Sequence, residues 1–141
     1  MSLTVDTPCI GICSTIYGDT VCRGCKRHYR EVIDWNIYTA EQKHVIMQRL
    51  SHNINAQMQE FFELVDELAL TQQLNKFGVR YHTEEPALCW FYHLLREGHS
   101  KIHDLSKYGV KRSNHLPDLS LTDVYHRIDE QLLSDEEGKN G

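Results

Sequence analysis

The sequence predicts an all-α protein, a helical bundle or hairpin that begins with a cysteine-rich metal-binding loop. Apolar residues recur at spacings of three and four over long stretches, which indicates amphipathic helices. No run of alternating residues is typical of a strand. Four cysteines lie within the first 25 residues and predict the loop. We expect a metal-binding module over 1–50, a helical region over 51–133 and a disordered acidic tail over 134–141.

The first elements follow from local residue types. Residues 1–25 are expected to be irregular, because proline and glycine interrupt them and cysteine dominates them. A short helix is predicted over about 27–35. Thr39 and Gln42 then fit a capping box, which predicts the start of the next helix.

That next helix is the longest of the chain. Its apolar residues predict either one amphipathic helix or two helices that break near 51–53. It is expected to end about Asn75, with Gly78 as the glycine just past its end.

Three further helices are predicted in the second half. The first opens at 83–86 and stops at Gly98, and a short one covers about 100–108. Residues 110–119 are expected to form a loop, after which Thr122 can cap the last helix.

The cysteine motif carries the clearest chemistry in the sequence. It has the form Cys9-x3-Cys13-x8-Cys22-x2-Cys25, with a glycine inside each pair that lets the backbone turn. Four thiolates so close in sequence can hold one tetrahedral metal ion or one iron–sulfur cluster. Zinc sites favour short spacings within each cysteine pair, as here, and iron–sulfur clusters also accept wide spacings. The spacing therefore does not distinguish zinc from a cluster. Disulfide pairing is the alternative, and we expect thiols because disulfides are rare in the cytoplasm.

A basic run lies beside the last two cysteines. Residues 23–30 contain four cations and no acid. These cations either compensate the net charge of about −2 that four thiolates leave around zinc or a cluster, or contact nucleic acid together with a second basic stretch at 96–112. The chain's net charge of −5 favours compensation. The four cations are Arg23, Lys26, Arg27 and Arg30.

The same region resembles a known family. Residues 8–13 read Pro-Cys-Ile-Gly-Ile-Cys, residues 22–27 read Cys-Arg-Gly-Cys-Lys-Arg, and Glu31 and Trp35 follow. This combination resembles a family of short bacterial proteins that are predicted to be iron–sulfur proteins and carry a domain of unknown function. The resemblance covers about residues 8–50 and departs at His28, where the family often has threonine. It implies a cysteine-bound centre at Cys9, Cys13, Cys22 and Cys25, favours an iron–sulfur cluster over Zn²⁺ and implies no particular activity.

These observations predict a small cytoplasmic metal-binding protein that carries electrons, senses redox state or delivers a cluster through a protein partner. The alternative is a structural zinc adaptor that contacts nucleic acid through its basic patches. We expect no stand-alone catalytic activity, because no phosphate loop, nucleophile elbow or triad-like arrangement occurs. We also expect no membrane association, since no apolar stretch is long enough to span a bilayer and the N-terminus lacks signal-peptide features.

A second metal site is a weaker hypothesis. Cys89 and His93 are spaced four residues apart, as are His99 and His103, and such pairs share a helix face. The competing interpretation is a buried, inert Cys89 within an apolar helix, which we favour.

Overall fold

The computed structural model of the chain describes residues 8, 15, 18–113 and 119–139. The chain divides into two compact units. Unit 1 contains the described residues up to Leu50 and those from Gln131 onward, and unit 2 is Ser51–Glu130. The described residues are mainly helical, as predicted. Cys9 and Cys13, with most of the predicted N-terminal loop, lie outside the described residues.

Five α-helices and two short strands follow one another along the described residues. The helices and strands are α1 (Tyr29–Ile33), α2 (Ala40–Phe61), β1 (Phe62–Leu64), α3 (Glu67–Lys76), α4 (Ala87–Gly98), β2 (Val110–Arg112) and α5 (Leu121–Lys139). The described residues also form three short 3-10 helices, at Trp35–Ile37, His99–Lys101 and Leu105–Tyr108. No helix in these ranges is long and apolar enough to cross a membrane.

The capping box at the start of α2 is confirmed. The Thr39 backbone N–H donates to Gln42 Oε1 at 2.8 Å, and the Gln42 N–H donates to Thr39 Oγ1 at 3.1 Å. These two bonds satisfy backbone donors that the first helical turn leaves unpaired. Farther along α2, Ile46 and Leu50 form with Trp35 a buried cluster in unit 1.

The sequence predicted either one helix to about Asn75 or two helices that break near 51–53, and both alternatives are wrong. Helix α2 continues through 51–53 and ends at Phe61. There the chain enters β1, which pairs antiparallel with β2 through Phe62↔Arg112 and Leu64↔Val110. The sequence predicted no strand in this place, because three residues are too few to show an alternating pattern. Asp66 then caps α3, accepting a hydrogen bond from the Ala69 N–H at 3.2 Å.

Two glycines fix the ends of elements in unit 2. Gly78 has φ +66 and ends α3 as predicted, with the Gly78 and Val79 N–H groups donating to the carbonyls of Asn75 and Leu74. Gly109 has φ +68, and a Cβ at this position would lie 1.9 Å from the Asp66 carbonyl oxygen. No other residue fits there without displacing the backbone.

The remaining helices differ from their predicted limits mainly at their ends. α4 begins at Ala87 rather than at 83–86, and ends at Gly98 as predicted. The expected helix over 100–108 is replaced by two 3-10 turns. Ser120 rather than Thr122 caps α5, because its Oγ accepts from the Asp123 N–H at 3.1 Å.

The end of α5 also differs from the prediction. We predicted a disordered tail over 134–141, whereas α5 is helical to Lys139. Glu136 is only 1% exposed and bonded within unit 1, which gives this acidic segment a reason to stay ordered.

The core of unit 2 forms around α4. Phe62 and Phe91 meet edge to face with ring centroids 5.1 Å apart. The fully buried side chains around them are apolar: Met58, Leu70, Leu74, Leu95, Val110, Val124 and Ile128.

Candidate metal centre

Cys22 and Cys25 lie in one tight turn of unit 1. Both are buried, with 1% and 9% of their surface exposed. The Cys22 N–H donates to the Arg27 carbonyl at 2.9 Å, and the Lys26 N–H donates to the Cys22 carbonyl at 2.8 Å. These two bonds tie the ends of the turn together, so that the cysteine pair is held by backbone and not only by its side chains.

The turn lies within a short antiparallel hairpin. Val21 and His28 form a β-bridge, and the Tyr29 N–H donates to the Thr20 carbonyl at 2.8 Å. Because α1 begins at Tyr29, the hairpin passes directly into the helix. The β-bridge therefore closes the loop that contains Cys22 and Cys25, and helix α1 follows directly after it.

Lys26 is the residue of this turn that takes a left-handed conformation. Its φ is +68, a left-handed value that costs a non-glycine residue roughly 1–2 kcal/mol, while Gly24 keeps a negative φ. The Lys26 Nζ donates to the carbonyl oxygens of Arg23 and Gly24, the latter at 3.3 Å. The side chain thus folds back over the turn and holds its strained backbone in place.

Arg27 contacts the second thiol directly. Its Nε–H donates to Cys25 Sγ at 3.2 Å, and its guanidinium lies 4.8 Å from the centre of the Trp35 ring. Burial raises the pKa of the Cys25 thiol, and the hydrogen bonds and charge of Arg27 oppose that rise. A cationic donor pointed at sulfur is the contact that stabilises a thiolate, which is the form that binds metal.

A network of ionic side chains supports α1, which follows the hairpin. Arg49 on α2 donates two hydrogen bonds to Glu31, at 2.6 and 2.7 Å, and a third to Glu136 at 3.1 Å. Glu136 also bonds His28 Nε2 at 3.0 Å. Glu31 further accepts from the His28 backbone N–H at 2.9 Å. The network therefore joins the segment after the cysteines to α2 and to the end of α5.

The network perturbs its own members. Burial acts to raise the pKa of Glu31, but the hydrogen bonds from Arg49 and from the His28 backbone outweigh it, so this pKa is lowered. The hydrogen bonds to Glu31 raise the pKa of Arg49. Sequence reasoning missed Arg49 and Glu136. Arg49 had no signal beyond its place in the predicted long helix, and Glu136 lay in the segment predicted to be disordered.

The structure thus brings together two of the four predicted ligands, Cys22 and Cys25. The other two, Cys9 and Cys13, lie outside the described residues. No disulfide joins any two of the cysteines that the structure describes, which are Cys22, Cys25 and Cys89.

The first half of the hypothetical second metal site is committed to other bonds. Cys89 is fully buried, its pKa is raised by burial, and its Sγ donates to the Ser51 carbonyl at 3.2 Å. His93 Nε2 lies 3.2 Å from both Glu85 oxygens, and its Nδ1 lies 3.3 Å from Arg96 Nη1. Since Arg96 can only donate, Nδ1 is an acceptor and Nε2 carries the proton that Glu85 accepts. Both ring nitrogens of His93 are therefore in use.

The other half is no closer to a metal site. His99 Nδ1 hydrogen-bonds with Thr122 Oγ1 at 2.8 Å, and the ring stacks on Tyr125. His103 is exposed. Over the described ranges, no three His, Cys, Asp or Glu side chains are grouped as metal ligands. The favoured interpretation, a buried and inert Cys89, agrees with its contacts.

The comparisons with known proteins found one similarity, and it lies in the cysteine segment. Residues 7–53 match the model of a family described as "Protein of unknown function (DUF1289)". The match covers all four N-terminal cysteines together with Glu31, Trp35 and Arg49, and it stops well before Glu136. No curated protein and no solved structure matches the chain. Residues 7–53 are therefore similar to a domain of unknown function, and the match reports no activity or ligand for it.

Proposed function

We propose that unit 1 binds a metal centre through Cys9, Cys13, Cys22 and Cys25, and that this centre is an iron–sulfur cluster. The observation that carries the proposal is the pair of buried thiols in one tied turn, one of which accepts a hydrogen bond from the Arg27 guanidinium. Through this centre the protein carries electrons, senses redox state or delivers a cluster to a protein partner in the cytoplasm. A stand-alone catalytic activity is not part of the proposal.

The charges around the turn fit such a centre. Lys26 and Arg27 are each only 4% exposed, and burying a cation is costly unless it faces negative charge. Four thiolates around a [4Fe–4S]²⁺ core or around Zn²⁺ leave a net charge of about −2, which two buried cations would offset. The two buried cations that follow Cys25 therefore fit the charge of such a centre.

The same burial weakens the nucleic-acid hypothesis for this segment. A phosphate-contacting patch needs accessible cations, whereas only Arg23 and Arg30 of the four in the basic run are exposed. Two exposed cations on a chain of net charge −5 give little electrostatic attraction to a polyanion. We therefore favour charge compensation as the role of Lys26 and Arg27.

The metal can be identified by purifying the protein without oxygen and measuring its visible absorption and its iron, sulfide and zinc content. A cluster supplies one-electron redox chemistry and gives brown protein with broad visible absorption, with iron and sulfide in comparable amounts. Colourless protein with one zinc per chain would overturn the iron–sulfur proposal and support the structural zinc adaptor. Protein with neither metal, after anaerobic reconstitution with iron and sulfide and separately with zinc, would refute the metal centre altogether.

The ligand assignment is tested by matched cysteine variants. Cys22→Ser is expected to abolish metal binding, because it removes one of four thiolates and leaves an incomplete ligand set. Cys89→Ser is the control, since its hydroxyl can still donate to the Ser51 carbonyl and Cys89 is not a proposed ligand. Equal metal content in the two variants would show that the assignment is wrong.

A further inference from the structure

Unit 2 contains a cleft whose lining includes none of the described cysteines. It has a volume of about 690 Å³ and lies between the segment 99–106, β2 and the first residues of α5. This volume falls within the range of small-molecule sites, roughly 300–1,000 Å³. Half-buried Leu105 and Leu121 contribute apolar surface to its lining. The cleft is therefore large enough for a small organic ligand and has apolar surface to contact it.

Arg112 supplies the main positive charge of the cleft. It is the last residue of β2, is half-buried and lines the cleft. Lys111 also lines the cleft, but its Nζ lies 3.6 Å from Glu63 Oε2 across the β1–β2 pair. A guanidinium presents a planar fork of donors that matches two oxygens of a phosphate.

His99 is a second polar group of the lining that is held in place. Its Nδ1 bonds Thr122 at 2.8 Å, and its ring stacks on Tyr125 with centroids 5.1 Å apart and planes at 15°. Two contacts thus fix the imidazole in the cleft wall before any ligand arrives. Leu121 and Thr122, in the first turn of the 19-residue helix α5, also line the cleft, where the helix dipole favours an anion.

Negative charge in the lining is confined to one side chain. Asp104 is the single carboxylate among the described lining residues, and it accepts from the Ser106 N–H at 3.0 Å and from its hydroxyl at 2.6 Å. Those two local bonds satisfy Asp104 within its own turn. The cleft is therefore cationic within a chain whose net charge is −5.

We propose that this cleft binds the phosphate group of a small organic phosphate monoester, with Arg112 and His99 as the main contacts. An apolar floor next to a cationic wall suits a ligand with an organic body and one phosphate. An extended nucleic acid is disfavoured, because exposed Glu97 and Asp123 lie within two residues of lining residues 99 and 122 and would repel the further phosphates of a long chain. This inference is independent of the metal centre.

The test is titration of the full chain with phenyl phosphate at constant ionic strength, followed by calorimetry and by amide chemical shifts. We expect saturable binding that is tighter than the binding of inorganic phosphate, since only the ester uses the apolar floor. Arg112→Gln is expected to weaken binding by about tenfold or more, because it removes a charge-assisted contact. Lys101→Gln, in the same basic stretch but outside the lining, is the matched control and is expected to change affinity by less than about twofold.

Second variants keep the test decisive if Arg112→Gln fails to fold by circular dichroism. Arg112→Lys keeps the charge and loses the fork, and His99→Gln can still bond Thr122, so each is expected to weaken binding severalfold. No saturation by phenyl phosphate, or an equal loss in Lys101→Gln, would overturn the proposal. Tight binding of a ten-nucleotide RNA with steep salt dependence, in place of the monoester, would also overturn it and assign the surface to nucleic acid.

Discussion

Replacing Arg49 by methionine tests whether the ionic network stabilises unit 1. Methionine keeps an unbranched apolar stem but removes all three hydrogen bonds that Arg49 donates to Glu31 and Glu136. Glu136 is 1% exposed and Glu31 is 14% exposed at the side chain, so neither carboxylate can regain full hydration. The carboxylates of Glu31 and Glu136 would then be left without the cation that both of them contact.

The size of the effect follows from burial. Removing one partner of a fully buried ion pair costs about 3–5 kcal/mol, because the other charge is left uncompensated. The Arg49 side chain is itself 29% exposed, and solvent screening lowers the loss to about 2–4 kcal/mol. That is a large part of the 5–15 kcal/mol typical of a whole protein. With a urea dependence of about 1–3 kcal/mol per molar, the unfolding midpoint is expected to fall by roughly 1 M or more.

The assay is urea unfolding followed by Trp fluorescence, because Trp35 reports on the core of unit 1. Arg30→Met is the matched control, since Arg30 is exposed on α1 and is expected to change stability by less than about 0.5 kcal/mol. The double variant Arg49→Met with Glu136→Gln should recover part of the loss, because it removes one uncompensated charge. If Arg49→Met and Arg30→Met unfold at the same urea concentration, the network contributes nothing measurable and the reasoning is refuted.

Three further predictions concern the fold and its dependence on pH. Because the folded pKa of Glu31 lies below its ordinary value of 4.5, its contribution is complete above that value and is lost as pH falls through the folded pKa. Glu31→Gln should therefore flatten the fall in stability between about pH 5 and pH 3, measured by urea unfolding at several pH values, and an unchanged slope would contradict this. Gly109→Ala should cost about 2 kcal/mol or more in thermal unfolding, because its Cβ would meet the Asp66 carbonyl. Gly98→Ala has open space around its Cβ and lies at the non-helical end of α4, so it should change stability by less than about 1 kcal/mol. Equal effects of the two glycine variants would show that the close approach is relieved at no cost.

Features with local causes were predictable from the sequence. The capping box of Thr39 and Gln42 involves residues three apart, so residue type and spacing were enough to predict it. Gly78 is similar, because a helix end in the left-handed region favours glycine whatever the rest of the protein does. The Cys22-x2-Cys25 turn was also predicted from spacing and from the glycine inside it, but the left-handed conformation of Lys26 was not.

Features with distant causes were not predictable. The pairing of β1 with β2 depends on residues far apart in the chain, and a three-residue strand shows no period of its own. Arg49 and Glu136 are 87 residues apart, so no sequence window contains both. Glu136 was placed in a disordered tail because its neighbours are acidic, a composition that predicts disorder only when nothing compensates the charge.

The candidate site has the same division between local and distant causes. Cysteine spacing alone identified Cys22 and Cys25, but it did not explain why the family pattern also contains Glu31 and Trp35. In the structure, Trp35 lies against the Arg27 guanidinium whose Nε–H reaches Cys25, and Glu31 joins α1 to Arg49 on α2. Neither residue contacts a cysteine directly in these contacts. Trp35 contacts Arg27, which bonds Cys25, and Glu31 helps to position α1. The matched segment, residues 7–53, therefore does not contain the whole network, because Glu136 from α5 supplies the second carboxylate that Arg49 contacts.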